Sequence, residues 1–237
     1  MDKFSLSYRA FIPWLGLLLL GCAAQPKDVD SLARPERQRV LHGELVHDML
    51  VQGRNHAALA HLEELERQQG KLDADQRLLR AEAYYRIGET AAARADYQAL
   101  LDGPQAGQAW HGLGRIALNT DLRQALQAFN SAVAARPTDA AVRNDLGYAL
   151  LLAGRADDAC RHLYTAHELD PQQSRIVANL LLCEGLRANR EAEERLLQLH
   201  QFTRAEREHH RKQLVELSRT IERRRAELNA PAKEITG

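Results

Sequence analysis

Few residues in this chain have the type and spacing to do chemistry. Its 237 residues include three cysteines and ten histidines. Cys22 comes after an apolar run from Phe11 to Leu20 and a glycine, whereas Cys160 and Cys183 lie far downstream. A thiol at the end of an apolar leader is placed at a membrane surface, where it can be acylated. His209 and His210 are adjacent, but neighbours at i and i+1 on a helix do not face one way. A metal site needs three or four convergent ligands, so the pair reads as solvated histidines and no metal is expected. Gly112-Leu113-Gly114 has no strand before it and makes no phosphate loop. The chain has no H-E-x-x-H, no G-x-S-x-G and no Walker motif,. No catalytic residue and no cofactor is therefore expected, and the chain reads as a non-enzyme.

Composition points to packed helices. Hydrophobic residues make up 45% but aromatics only 5%, so Leu and Ala carry the core, and these favour helix over sheet. Lys plus Arg and Asp plus Glu are 32 each, for a formal net charge of zero. That balance argues against nucleic acid as a partner, since neutralising phosphates takes a basic excess.

The N-terminus reads as a leader to be set apart from the fold. Lys3 and Arg9 supply its positive end, and the apolar run is too short to span a bilayer,. Leu19-Leu20-Gly21-Cys22 resembles the bacterial lipobox, in which the cysteine receives a diacylglycerol and the leader is cut just before it. Residues 1–21 then form a lipoprotein signal peptide. Residues 22–36, polar and with two prolines near Lys27 and Glu36, form a lipidated tether. The residue after Cys22 is Ala23 rather than aspartate. In Gram-negative lipoproteins this implies sorting to the outer membrane, held on its periplasmic face by two or more acyl chains.

A repeat of 34 residues organises the remainder of the chain. Ala125, Phe129, Ala132 and Pro137 recur as Ala159, Leu163, Ala166 and Pro171, preceded in the second case by Leu146, Gly147 and Gly154. Trp110, Leu113 and Gly114 open the earlier copy. This spacing resembles the tetratricopeptide repeat (TPR). Weaker copies cover residues 39–72, 74–106 and 174–201, the last without its glycines. One such repeat cannot bury its apolar face alone, so stacking is obligatory. The expected fold is all-α: a TPR solenoid of about five helix pairs over residues 37–201. Beyond it come a C-terminal helix over 202–229 and a tail over 230–237. Thr203 to Glu206 is a capping-box pattern, and Leu214, Leu217, Ile221 and Leu228 continue at helical spacing. That helix fits a solvating cap on the last repeat, or a helix lying in the solenoid's own groove or on lipid headgroups.

The resemblance assigns a binding face and a thiol pair. Inward-facing positions of the first helices fall on His111 and Arg115, then Asn144, Tyr148, Leu151 and Leu152, then Leu182 and Leu186. An apolar stripe beside a polar patch suits an amphipathic helix or an extended peptide. Covering by the C-terminal helix is the alternative. In this repeat type Cys160 and Cys183 fall on facing positions of neighbouring repeats. With Cys22 acylated, they are two thiols in an oxidising compartment. Either a disulfide or two buried free thiols is consistent with that placement.

The stretch V-R-N-D-L-G-Y-A-L-L-L-A-G-R-A-D-D-A, continued by D-P-x-x-x-x-I-x-x-N-L, resembles the TadD-type lipoproteins of tight-adherence (Flp) pilus systems. The resemblance implies a pilotin, an assembly factor whose partner is the outer-membrane secretin. It is carried by scaffold residues such as Leu146, Gly147, Gly154, Ala159, Pro171 and Asn179. PilF-type pilotins share the same layout. Adaptors for peptidoglycan hydrolases or exopolysaccharide export, which would bind another envelope protein, are the alternative of a different class.

Overall fold

The computed structural model describes residues 33–229. The leader, Cys22, most of the tether and the tail lie outside the described residues. Eleven helices and no strands occur among them: α1 (Arg34–Val51), α2 (Asn55–Gln69), α3 (Ala74–Ile87), α4 (Thr90–Gln98), α5 (Ala106–Ala117), α6 (Leu122–Ala135), α7 (Ala140–Leu152), α8 (Ala156–Leu169), α9 (Ser174–Leu186), α10 (Arg190–Leu199) and α11 (Arg204–Asn229). Residues 1–40 and 41–237 form separate units; the packing described below is that of the second. Helix α1 begins at Arg34, inside the stretch read as tether. Pro35 does not prevent this, because a proline in the first turn forfeits no helical hydrogen bond.

Local signals explain where the helices start. Asp73 and Gln76 form a reciprocal capping box at α3. Asp121 accepts from the Gln124 amide at α6, and Asp139 from the Val142 amide at α7. Thr203 and Glu206 cap α11 reciprocally: the Thr203 amide donates to Glu206 at 2.7 Å, and the Glu206 amide to the Thr203 hydroxyl at 3.3 Å. Each cap satisfies amides that have no partner inside the helix.

Successive helices pair as hairpins, α3/α4 through α9/α10, and α1 and α2 share an apolar cluster. The two helices of a pair cross closely where one lacks a side chain. A Cβ on Gly147 would lie 2.6 Å from the Leu163 Cγ, and one on Gly114 would lie 2.5 Å from the Phe129 ring. Leu163 and Phe129 fill those gaps and are fully buried. Apolar clusters then run along the stack. One involves α1 to α3 around Leu62, and a second α3 to α6 around Tyr97. A third, around Leu146 and Leu180, extends from α5 to α11.

The turns after α1, α3, α7 and α9 share one backbone conformation, whereas the α5–α6 turn has no residue at positive φ. Gly53, Gly88 and Gly154 sit at left-handed φ of 73°, 87° and 70°. The α9–α10 turn keeps that conformation with Ala188 at φ 56°, where its predecessor has Gly154. An alanine there carries Cβ strain that glycine avoids. Replacing Ala188 by Gly is expected to stabilise the fold by about 0.5–1 kcal/mol, the relief exceeding the added chain entropy. Gly147→Ala, by contrast, is expected to cost about 1–3 kcal/mol through overpacking against Leu163. Urea midpoints of both variants check the two signs together.

Candidate partner-binding groove

Successive first helices pack on one another, α3 on α5 and α7 on α9. They form the inner, more closely spaced wall of the stack. The expected binding residues lie on this wall, but they divide into a polar part and an apolar part with different fates.

The polar part is a connected network. Glu82 on α3 accepts from Arg115 at 2.9 Å, from Arg86 at 2.7 Å and from the Tyr97 hydroxyl at 3.1 Å. The Arg115 guanidinium also lies 4.0 Å above the Tyr85 ring, a cation–π arrangement. One helix further on, Asp145 accepts from His111 Nε2 at 2.8 Å, from Arg175 at 2.7 Å and from Asn144 Nδ2 at 3.0 Å. Asn144 Oδ1 in turn accepts from Asn179 at 2.9 Å. His111, Asn144, Asp145 and Arg175 thereby tie three consecutive first helices together.

Burial opposes ionisation of Asp145, but the hydrogen bond and charge of His111, with Arg175 beyond, outweigh it and hold the carboxyl below its ordinary range. Glu82 shows the same balance: burial raises its pKa, and Arg115 and Arg86 bring it down past the ordinary value. Burial and the Glu82 charge push the Tyr97 hydroxyl up, so it remains a donor. Arg115 and Arg175 keep part of their side chains open to solvent, 27% and 63%. A cavity of about 610 Å³ with a mixed polar and apolar lining opens beside them, bounded also by Tyr85, Asn119, Tyr148 and Leu182.

The apolar part is already covered. Leu151 is fully buried, and Leu152 and Leu182 are each 6% exposed. Leu217 and Ile221 of α11 join their cluster, with Tyr148, Leu186 and Leu214 half-buried against it. The expectation of an open leucine stripe is therefore corrected. Of the apolar positions, Tyr148 and Leu186 keep partial access, and the buried leucines serve as the seat of α11. Gly185 explains how closely α11 approaches: a Cβ there would lie 2.7 Å from the Leu214 side chain. Gly185 occupies an inward repeat position, but the weak repeat signal after Pro171 gave no reason to single it out. The same holds for Asp145 and Glu82, whose roles come from partners on neighbouring helices.

Helix α11 is pinned at its start. Arg207 donates to Glu194 of α10 at 2.9 Å, and His210 lies 2.7 Å from Glu193. His209 is exposed, but His210 is 4% exposed. The reading of both as solvated is thus corrected for His210, because α10 supplies its carboxylate partner. No group of three or more His, Cys, Asp or Glu side chains gathers into a metal-binding arrangement among the described residues.

Behind the groove, α8 and α9 are joined covalently. The Cys160 and Cys183 sulfurs are bonded, with Cα atoms 5.7 Å apart and a sequence separation of 23. Buried Glu184 lies next to Cys160, with Arg187 3.3 Å from its carboxylate. Closing a loop of this length stabilises a fold by about 3 kcal/mol in the chain-entropy estimate.

The tetratricopeptide-repeat family matches over residues 44–109 and 119–174. A TPR repeat-containing protein of Pseudomonas aeruginosa is 40% identical over 185 residues, covering 76% of this chain and 74% of its own. The chain belongs to the TPR family. Among solved structures, a thermophilic TPR protein of Thermus thermophilus superimposes with a TM-score of 0.58 at 17% identity, over 76% of this chain and 98% of its own. MamA from Desulfovibrio magneticus gives 0.52 at 21% identity, over 77% and 96%. At these identities the likeness shows the fold alone.

The groove can be tested at its acid and at its thiols. Asp145→Asn removes the charged acceptor shared by His111 and Arg175, and is expected to cost about 1–3 kcal/mol at pH 7. Because the folded carboxyl titrates below its ordinary value, its contribution is present above the unfolded pKa. It fades as pH falls through the folded one,. Unfolding curves of wild type and variant should therefore converge in acid, and a constant gap would count against the assignment. For the thiols, alkylation of denatured, non-reduced protein should label neither Cys160 nor Cys183, and prior reduction should expose both.

Proposed function

We propose that this chain is an outer-membrane lipoprotein that acts as a protein-interaction scaffold, holding a segment of an envelope protein against the inner wall of its TPR solenoid. The finer reading is a pilotin or assembly factor for the secretin of a tight-adherence pilus. The lipobox-like Leu19-Leu20-Gly21-Cys22 supports membrane attachment. The TadD-like stretch from Val142 to Leu180 supports the pilus reading. The observation that carries the scaffold itself is the inner wall. Its charged groups are fixed by mutual hydrogen bonds, yet Arg115 and Arg175 still face an open cavity.

Such a wall is preorganised. Arg115 is held by Glu82 and stacked on Tyr85, so a ligand meets a donor whose ordering cost has been met in folding,. Asn144 and Asn179 are buried and spend their side-chain amides on each other and on Asp145, which fixes the wall. Arg115 and Arg175 suit the carbonyls and side chains of a bound segment, and no bond-making step is assigned to them.

Cys22→Ser is expected to abolish incorporation of labelled palmitate and to release the protein from the outer membrane. Arg175→Glu should leave helicity unchanged and lower the amount of assembled secretin multimer in envelope extracts. Palmitate entering the Cys22→Ser form would overturn the anchor. Normal multimers in both variants, with a peptidoglycan hydrolase co-purifying instead, would replace the pilus reading by the adaptor reading.

A further inference from the structure

Helix α11 is held in two unlike ways. Its first two turns carry the polar ties to α10, Arg207–Glu194 and His210–Glu193. From Leu214 onward the contacts with the groove are apolar: Leu214 against Gly185, with Leu217 and Ile221 in the cluster around Leu152 and Leu182. Over this second half the described side chains of α11 make ion pairs only within the helix, Glu216 with Arg219 and Arg223. Its outer face is charged, and Val215 is 49% exposed. The seat is also incompletely filled, because the cavity of about 610 Å³ runs along its flank at Gln213, Glu216 and Thr220. The connection before α11 carries Gln201 at φ 55°, a left-handed conformation unfavourable for a side chain of this type,.

We propose that the second half of α11 is a displaceable, tethered ligand. It occupies the site of an amphipathic helix from a partner protein. This rests on the scaffold reading above and specifies the partner's chemistry. That helix would carry apolar residues at i, i+3 and i+7, as Leu214, Leu217 and Ile221 do. The groove has one apolar floor, so the two helices exclude each other. The tether makes α11 a competitor at high effective concentration, and a partner binds only to the fraction of molecules in which α11 has left. A partner helix that also reaches Arg115 and Arg175 through the flanking cavity gains contacts α11 does not make, which gives it the differential affinity that displacement requires.

The probe is a labelled synthetic peptide of residues 204–224, added to full-length protein. Leu214→Ser/Leu217→Ser should unseat the second half of α11 and bind the peptide at least tenfold more tightly than wild type. Gln213→Leu/Thr220→Leu extends the apolar contact into the flanking cavity and should weaken peptide binding below wild type. It also tests the idea if the first variant proves unstable. Hydrogen exchange over 214–224 should be faster than over 204–211 in wild type. Equal peptide affinity in all three proteins overturns the inference. If such proteins still support secretin assembly, the scaffold reading stands while the tethered-ligand inference fails; normal assembly in Arg175→Glu together with the expected order of peptide affinities has the opposite meaning.

Discussion

The constraint on which the structure depends is the close crossing of two helices within each repeat. At Gly147 and Gly114 the absent Cβ is replaced by Leu163 and Phe129 from the paired helix. The exchange matters because a hairpin of two short helices has too little apolar surface to be stable alone. Burying Leu163 or Phe129 fully against the partner helix is worth about 1.5–3 kcal/mol each, and it also fixes the angle at which the next pair must stack. The inner wall is a product of that stacking. Asp145 can receive His111 and Arg175 only because α5, α7 and α9 are brought side by side by crossings one layer behind.

Where this crossing weakens, other devices take over. The last repeat has Leu181 where its predecessor has Gly147, and Ala188 where its predecessor's turn has Gly154. The same junction carries the Cys160–Cys183 bond between α8 and α9. A covalent link tolerates a looser crossing, since it limits how far α9 can separate when its own hairpin is imperfect. Helix α11 adds a second brace by covering α9 from the inside, with Leu214 placed over Gly185.

Much of this was legible in the sequence, and the limits have physical causes. The helix pairs around Trp110 and Leu146 were legible because small residues and prolines recur at fixed spacing. That spacing reports contacts inside one repeat, which are local. The facing positions of Cys160 and Cys183 could be read for the same reason, since each is fixed by its place in a repeat. The fate of Leu151, Leu152 and Leu182 was not legible. Whether an inward leucine faces solvent depends on a helix more than thirty residues later in the chain, which has no repeat register to align it. Leu214, Leu217 and Ile221 were recognisable as a stripe, but a stripe does not name the surface it covers. His210 makes the same point, since its burial depends on Glu193 of another helix.

The inner wall therefore serves two demands that compete. Its apolar half must be covered for the last repeat to remain folded, and a binding surface must be uncovered for a partner. A solenoid with a strong final repeat can separate the two by capping its outer end and leaving the groove free. Here the final repeat is the weak one, so its cover lies in the groove itself. The open part of the wall shifts toward α3, α5 and α7, where Arg115 and Tyr85 need no cover because Glu82 and their own stacking satisfy them. The division of the groove into a charged open half and an apolar closed half is then a consequence of where the repeat signature decays along the chain.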